Sequence, residues 1–203
     1  MKFLLKSASF LFHPLWIPLA GSCFYFLFTP RFFPEGVVKA KLLAITILTI
    51  FIPIVFYFLL KNLGKADSVF LENVRERKWP LFFFGILVMM LLNQIINAYD
   101  YATLYYYYIG ILISTFLALI LVLFRFKASL HMMGLGGLVS FLIVLSVEFQ
   151  INLIYTISFF ILGLGLTASS RIYYKAHSVT ELLIGLFIGI CPQFLWLYLQ
   201  NWL

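Results

Sequence analysis

Ser169-Ser170-Arg171-Ile172-Tyr173-Tyr174-Lys175-Ala176-His177-Ser178-Val179-Thr180-Glu181 lies between two long apolar runs, where a membrane span meets water. Arg171, Lys175, His177 and Glu181 gather there in a chain with few charges. If the residues from about Ser178 onward are helical, His177 and Glu181 stand one turn apart on one face. A carboxylate so placed accepts a hydrogen bond from one imidazole nitrogen and leaves the other as a basic lone pair. Arg171 is a fork-shaped donor matched to phosphate. Cation, activated histidine and orienting acid together outline a phosphoryl-transfer site.

Composition sets the fold class. The 203 residues are 64% hydrophobic and 20% aromatic, with only 10% charged. No water-soluble surface can be made from that supply. The expectation is an all-α, polytopic membrane helical bundle, a single integral domain over residues 1–203. There is room for six to seven transmembrane helices of about 20 residues each. The net charge of +7 is no sign of nucleic-acid binding, because a chain this apolar has no basic face to offer a duplex. Juxtamembrane cations drawn to anionic membrane lipids account for it better. Cys23 and Cys191 are isolated thiols in apolar runs, neither a disulfide framework nor a metal site.

Lys2 and Lys6 precede an apolar stretch ending in Ala20-Gly21-Ser22-Cys23, similar to a lipoprotein signal. Its leucine comes one position too early, and Pro14 and Pro18 interrupt it, so a retained first span is expected. Spans are expected at about residues 10–29, 42–60, 81–98, 102–124, 134–147, 151–168 and 179–199. His13-Pro14 is a place for a local helix break. Residues 31–41 read as a basic loop, and 61–80 as a polar loop or interfacial helix capping the site. Asn93 and Asn97 are expected to bond a neighbouring helix, and Tyr105 to Tyr108 to form an interfacial belt. Gly134, Gly136 and Gly137 allow close helix approach. Two spans separate residues 75–80 from 127–131, and two more separate these from 171–177. All three polar islands therefore emerge on one face.

Ser170-Arg171, five residues, His177, three residues and Glu181 resembles the third signature of the type 2 phosphatidic acid phosphatase superfamily, S-R-x5-H-x3-D, with Glu for Asp. Ala128-Ser129-Leu130-His131 is similar to the second signature, P-S-G-H, with Leu for Gly. Arg75-Glu76-Arg77-Lys78-Trp79-Pro80 echoes the first, K-x6-R-P. Phe70 and Leu71 stand where its lysine would be for Arg77 and Lys78. The resemblance covers roughly residues 65 to 190. It implies hydrolysis of a lipid phosphate substrate through a phosphohistidine on His177, oriented by Glu181, with His131 as acid and then base. Arg171, Ser129, Lys127, Arg77, Lys78 and Arg75 would hold the phosphate oxygens. No cofactor or metal is called for, and no His, Cys and acid spacing here matches one.

Two other classes compete. Residues 65–80 are faintly similar to the diphosphate loops of membrane prenyltransferases, but those need paired Asp-rich motifs for magnesium, and no second acidic loop exists. An inactive relative that binds lipid as a scaffold needs only cations and aromatic belts. With seven spans the site face holds most of the cations and the other only Arg31, Lys39 and Lys41. The positive-inside rule then points the site to the cytoplasm, in a bacterial inner membrane. Oligomeric state is left open.

Overall fold

The structure is a computed structural model that describes residues 2–65 and 73–195, with side chains from residue 5. The described residues are helical, with no strand. Their order is α1 (Lys2–Leu11), α2 (Ile17–Phe28), α3 (Glu35–Thr46), α4 (Ile52–Asn62), α5 (Lys78–Gln94), α6 (Ala102–Leu123), α7 (Leu130–Glu148), α8 (Ile154–Tyr173) and α9 (Val179–Ile190). Among the described residues, five helical stretches are long and apolar enough to cross a membrane: Leu5–Phe28, Glu35–Asn62, Ala102–Leu123, Leu130–Glu148 and Ile154–Tyr173. The chain is thus built as an integral membrane protein. Helix α5 and the stretch Val179–Phe194 are apolar but shorter.

Helix α7 is the centre. It packs against α9, α8 and α2, and buries Leu135, Leu138, Phe141, Leu142 and Leu145. A helix apolar on every side belongs inside a bundle. Two glycines four residues apart let α9 lie directly on it. A Cβ on Gly185 would sit 2.5 Å from the Ser129 carbonyl oxygen, and one on Gly189 would run into the Met133 carbonyl. Small residues at this spacing form a flat face for backbone-to-backbone packing.

Several boundaries differ from the sequence expectation, each for a local reason. The 31–41 loop ends at Pro34, since Glu35 favours the N-terminal end of α3 and pairs with Lys39 one turn on, at 2.6 Å. Helix α5 starts early because Pro80 falls in its first turn, where its missing N–H costs nothing. It stops at Gln94. Asn97 bonds locally to Asp100 at 2.8 Å rather than reaching across to a helix. Helix α7 begins at Leu130, capped by Ser129, and α8 runs on through Arg171, so His131 and Arg171 stand on helices and not in loops. The seventh expected span passes from α9 into a 3-10 turn at Cys191–Phe194, and its part beyond residue 195 lies outside the described residues.

The tyrosine run is a correction. Tyr107 and Tyr108 are buried in the core, not part of a belt at the membrane surface. Their hydroxyls donate to the carbonyls of Ile17 (2.8 Å) and Pro18 (3.1 Å). A buried phenol needs such a partner, and the carbonyls of proline-interrupted α2 supply it. The expected break at His13-Pro14 is present: α1 ends at Leu11, and the His13 side chain caps a 3-10 turn by accepting from the Leu15 N–H.

Gly189→Leu is expected to separate α9 from α7 and lower the melting temperature in detergent, since overpacking costs about 1–3 kcal/mol or more. Gly165→Ala meets nothing within 4 Å and should leave the melting curve unchanged or raised. Equal melting curves for the two variants would show that the glycine face does not hold the bundle.

Candidate functional site

The three polar islands meet at one end of the bundle. Lys175 takes a left-handed φ of 52°, which ends α8 and lets the Ala176 N–H donate to the Arg171 carbonyl at 2.9 Å. The turn delivers His177 and Ser178 to the start of α9. There Ser178 and Glu181 form a reciprocal capping box: the Glu181 N–H donates to Ser178 Oγ (3.3 Å), and the Ser178 N–H to Glu181 Oε2 (3.1 Å). The same Oε2 lies 2.8 Å from His177 Nδ1. With Nδ1–H donating to the carboxylate, Nε2 carries the lone pair.

The second island closes on the third. The Ser129 N–H donates to the Glu181 carbonyl at 3.0 Å, and Lys127 Nζ donates to the Ala176 carbonyl at 3.1 Å. Ser129 Oγ accepts the Met132 N–H at 3.5 Å, so this serine caps α7. From the first island Arg77 reaches in, with Nη1 donating to the Ala128 carbonyl at 2.9 Å. Arg77 is buried, and burial lowers its pKa to about 10, against the pull of Glu181 in the other direction. It is still a cation at neutral pH.

Arg75 and Lys78, expected beside it, are exposed. Lys78 lies over the Trp79 ring, 5.7 Å from its centroid, instead of facing the histidines. One turn of 3-10 helix, Val74–Arg77, decides this: only Arg77 has the phase that points inward. The capping role expected of residues 61–80 falls partly on 66–72, as do the Phe70 and Leu71 positions, and these lie outside the described residues.

The first span supplies groups that no motif announces. Ser9 Oγ bonds Ser170 Oγ at 2.8 Å and accepts from Arg171 Nη1 at 3.5 Å. The Ser9 carbonyl accepts from His131 Nε2 at 3.2 Å. The His13 ring stands edge-on to His131, with centroids 5.3 Å apart. In sequence the available signal was the His13-Pro14 break. Nothing marked Ser9.

Electrostatics favour a neutral His177. Burial, the largest influence, lowers its pKa from 6.5 to about 4; the Arg77 and Lys127 charges push the same way, while the Glu181 hydrogen bond opposes them. At pH 7 the ring is a free base inside a ring of cations, a state matched to attack on an anionic phosphorus centre. By proton NMR the His177 ring should titrate near pH 4. Arg77→Gln should raise that midpoint, and Glu181→Gln should lower it. Because the unfolded histidine binds protons below about 6.5 and the folded one only near 4, stability should fall as pH drops through that window. A midpoint near 6.5 would mean that the ring is not desolvated.

The chain matches no family model, no curated protein and no solved structure. The phosphatase resemblance therefore rests on the quoted residues alone.

Proposed function

We propose that this chain hydrolyses a lipid phosphomonoester or diphosphate, of the phosphatidate, phosphatidylglycerol phosphate or polyprenyl phosphate type, without a metal. The observation that carries this is the buried His177 ring held 2.8 Å from the half-buried Glu181 carboxylate, with the Arg77 and Lys127 charges bearing on the ring. His177 Nε2 attacks phosphorus and the bond to the lipid oxygen breaks. His131, protonated on both ring nitrogens once the anionic substrate is bound, gives its Nε2 proton to the leaving alkoxide and becomes neutral. It then takes one from water, which attacks the phosphohistidine and releases phosphate, returning His177 to its neutral form. Arg77, Lys127 and Arg171 hold the equatorial oxygens as charge develops on them. For this His131 exchanges its bond to the Ser9 carbonyl for the substrate.

In this proposal α5 and the stretch Val179–Phe194 join the five longer spans as the sixth and seventh. By the positive-inside rule the cation distribution then supports a site on the cytoplasmic side of a bacterial inner membrane. A non-catalytic lipid-binding scaffold is favoured by one observation: the His177 side chain is only 2% exposed, so substrate reaches it only after neighbours move.

Purified protein should release phosphate from a lipid phosphate with chelator present. His177→Ala should abolish turnover and His131→Ala should slow it by a factor on the order of 100. Glu181→Gln should cut kcat far more than it raises KM, because its charge matters most as the imidazolium forms. Glu181→Asp should stay within about tenfold. The acid limb of kcat/KM should lie near pH 4, where His177 protonates. Activity surviving in His177→Ala would remove the nucleophile, and no release from any lipid phosphate would favour the scaffold.

Topology has its own test. On a background lacking Cys23 and Cys191, a cysteine near Lys65 should resist an impermeant thiol reagent outside intact cells, while one near Lys39 should react. The reverse pattern would put the site outside.

A further inference from the structure

A second lipid-facing feature lies beside the site and owes nothing to its chemistry. Between α4 and α5 a cavity of about 290 Å³ opens on the bundle surface. Its floor is Phe56 stacked on Phe83, centroids 3.9 Å apart, and its walls include Leu59, Leu60 and Ile86. Apart from its mouth it is apolar. At the mouth stands Trp79, with Lys65 Nζ 5.4 Å and Lys78 Nζ 5.7 Å from the centroid of its ring.

Two ammonium groups drawn to one indole repel each other. Among the described residues no carboxylate is paired with either lysine. A cation–π contact holds each ammonium at the ring but leaves its charge in place. The result is a positive pair beside an apolar slot. Water gains nothing in such a slot, whereas an acyl chain fills it.

We propose that the α4–α5 groove binds an anionic phospholipid of the surrounding bilayer, its acyl chain against Phe56 and Phe83 and its phosphate between Lys65 and Lys78 over Trp79. Charge complementarity selects the occupant: a zwitterionic lipid would bring its own cation to the same two lysines. This site is independent of hydrolysis at His177.

The test uses Trp79 as the reporter, with Trp16, Trp196 and Trp202 replaced by Phe. The protein is reconstituted in phosphatidylcholine vesicles carrying a small fraction of lipid brominated on its acyl chain. Brominated phosphatidylglycerol should quench Trp79 with an apparent affinity about tenfold above that of brominated phosphatidylcholine, as expected for two lysines near the headgroup. In Lys65→Gln/Lys78→Gln the two lipids should quench alike. Equal quenching in the parent, quenching by neither lipid, or a preference that survives the double substitution would each overturn the proposal. Native mass spectrometry of the chain with all its tryptophans gives a second readout. Retained phosphatidylglycerol should exceed phosphatidylcholine severalfold in the parent and not in the double variant; equal retention in the parent would overturn it as well.

Discussion

The hydrogen bond from the Ser129 N–H to the Glu181 carbonyl, 3.0 Å long, fixes the register of α9 on α7. It forms only because Gly185, one turn further along α9, lets the two backbones touch at the same serine. Everything at the candidate site inherits that register. Glu181 is placed by α9, Ser129 and His131 by α7, and Lys127 spans back to the Ala176 carbonyl just before α9 begins. A slip of one residue between the two helices would rotate each group by about 100° and disperse the cluster. A backbone contact without side chains between is the stiffest joint a helical bundle offers, and here it lies at the chemistry.

Glu181 serves two structures through one oxygen. Oε2 accepts both the Ser178 N–H and His177 Nδ1, so the carboxylate that closes the capping box also orients the ring. This gives a physical reason for glutamate where the resembled signature has aspartate. The reciprocal box uses Glu or Gln at the third helical position, because the side chain has to fold back over one turn to the cap. The shift of the His177 pKa to about 4 follows from the same packing: the ring is tied to an acid, yet enclosed among cations and apolar groups.

Much of this was legible in the sequence, and the remainder has clear causes. The spacing of His177 and Glu181 pointed to their contact, although His177 stands just before the Ser178 cap and meets Glu181 where its carboxylate folds back over that cap. Convergence of the three islands followed from counting spans. The choice among Arg75, Arg77 and Lys78 was not legible, because a single 3-10 turn sets which cation faces inward. Ser9 was hidden for another reason. It reaches Arg171 across 162 positions of chain, by a contact between helices that no local pattern encodes. Tyr107 and Tyr108 read as a belt because composition cannot tell a phenol that meets headgroups from one that meets the carbonyls of a proline-broken helix.

The length of α5 has a consequence for the bilayer itself. Its 17 residues rise about 26 Å, less than the roughly 30 Å of a typical hydrocarbon core. It cannot grow at either end. Arg77 is buried at its start, and past its finish Lys41 Nζ donates to the Ile95 carbonyl while Arg31 Nη1 donates to the Asp100 carbonyl at 2.8 Å. With α5 a span, as proposed above, lipid beside it thins to meet the protein, at a cost of fractions of a kcal/mol per Å of hydrophobic mismatch. Thinning draws phosphate groups inward, toward the level of Arg77 and His177. In the proposed arrangement the bilayer beside α5 is therefore shaped by the protein, and shorter-chain lipids match that helix better than long-chain ones.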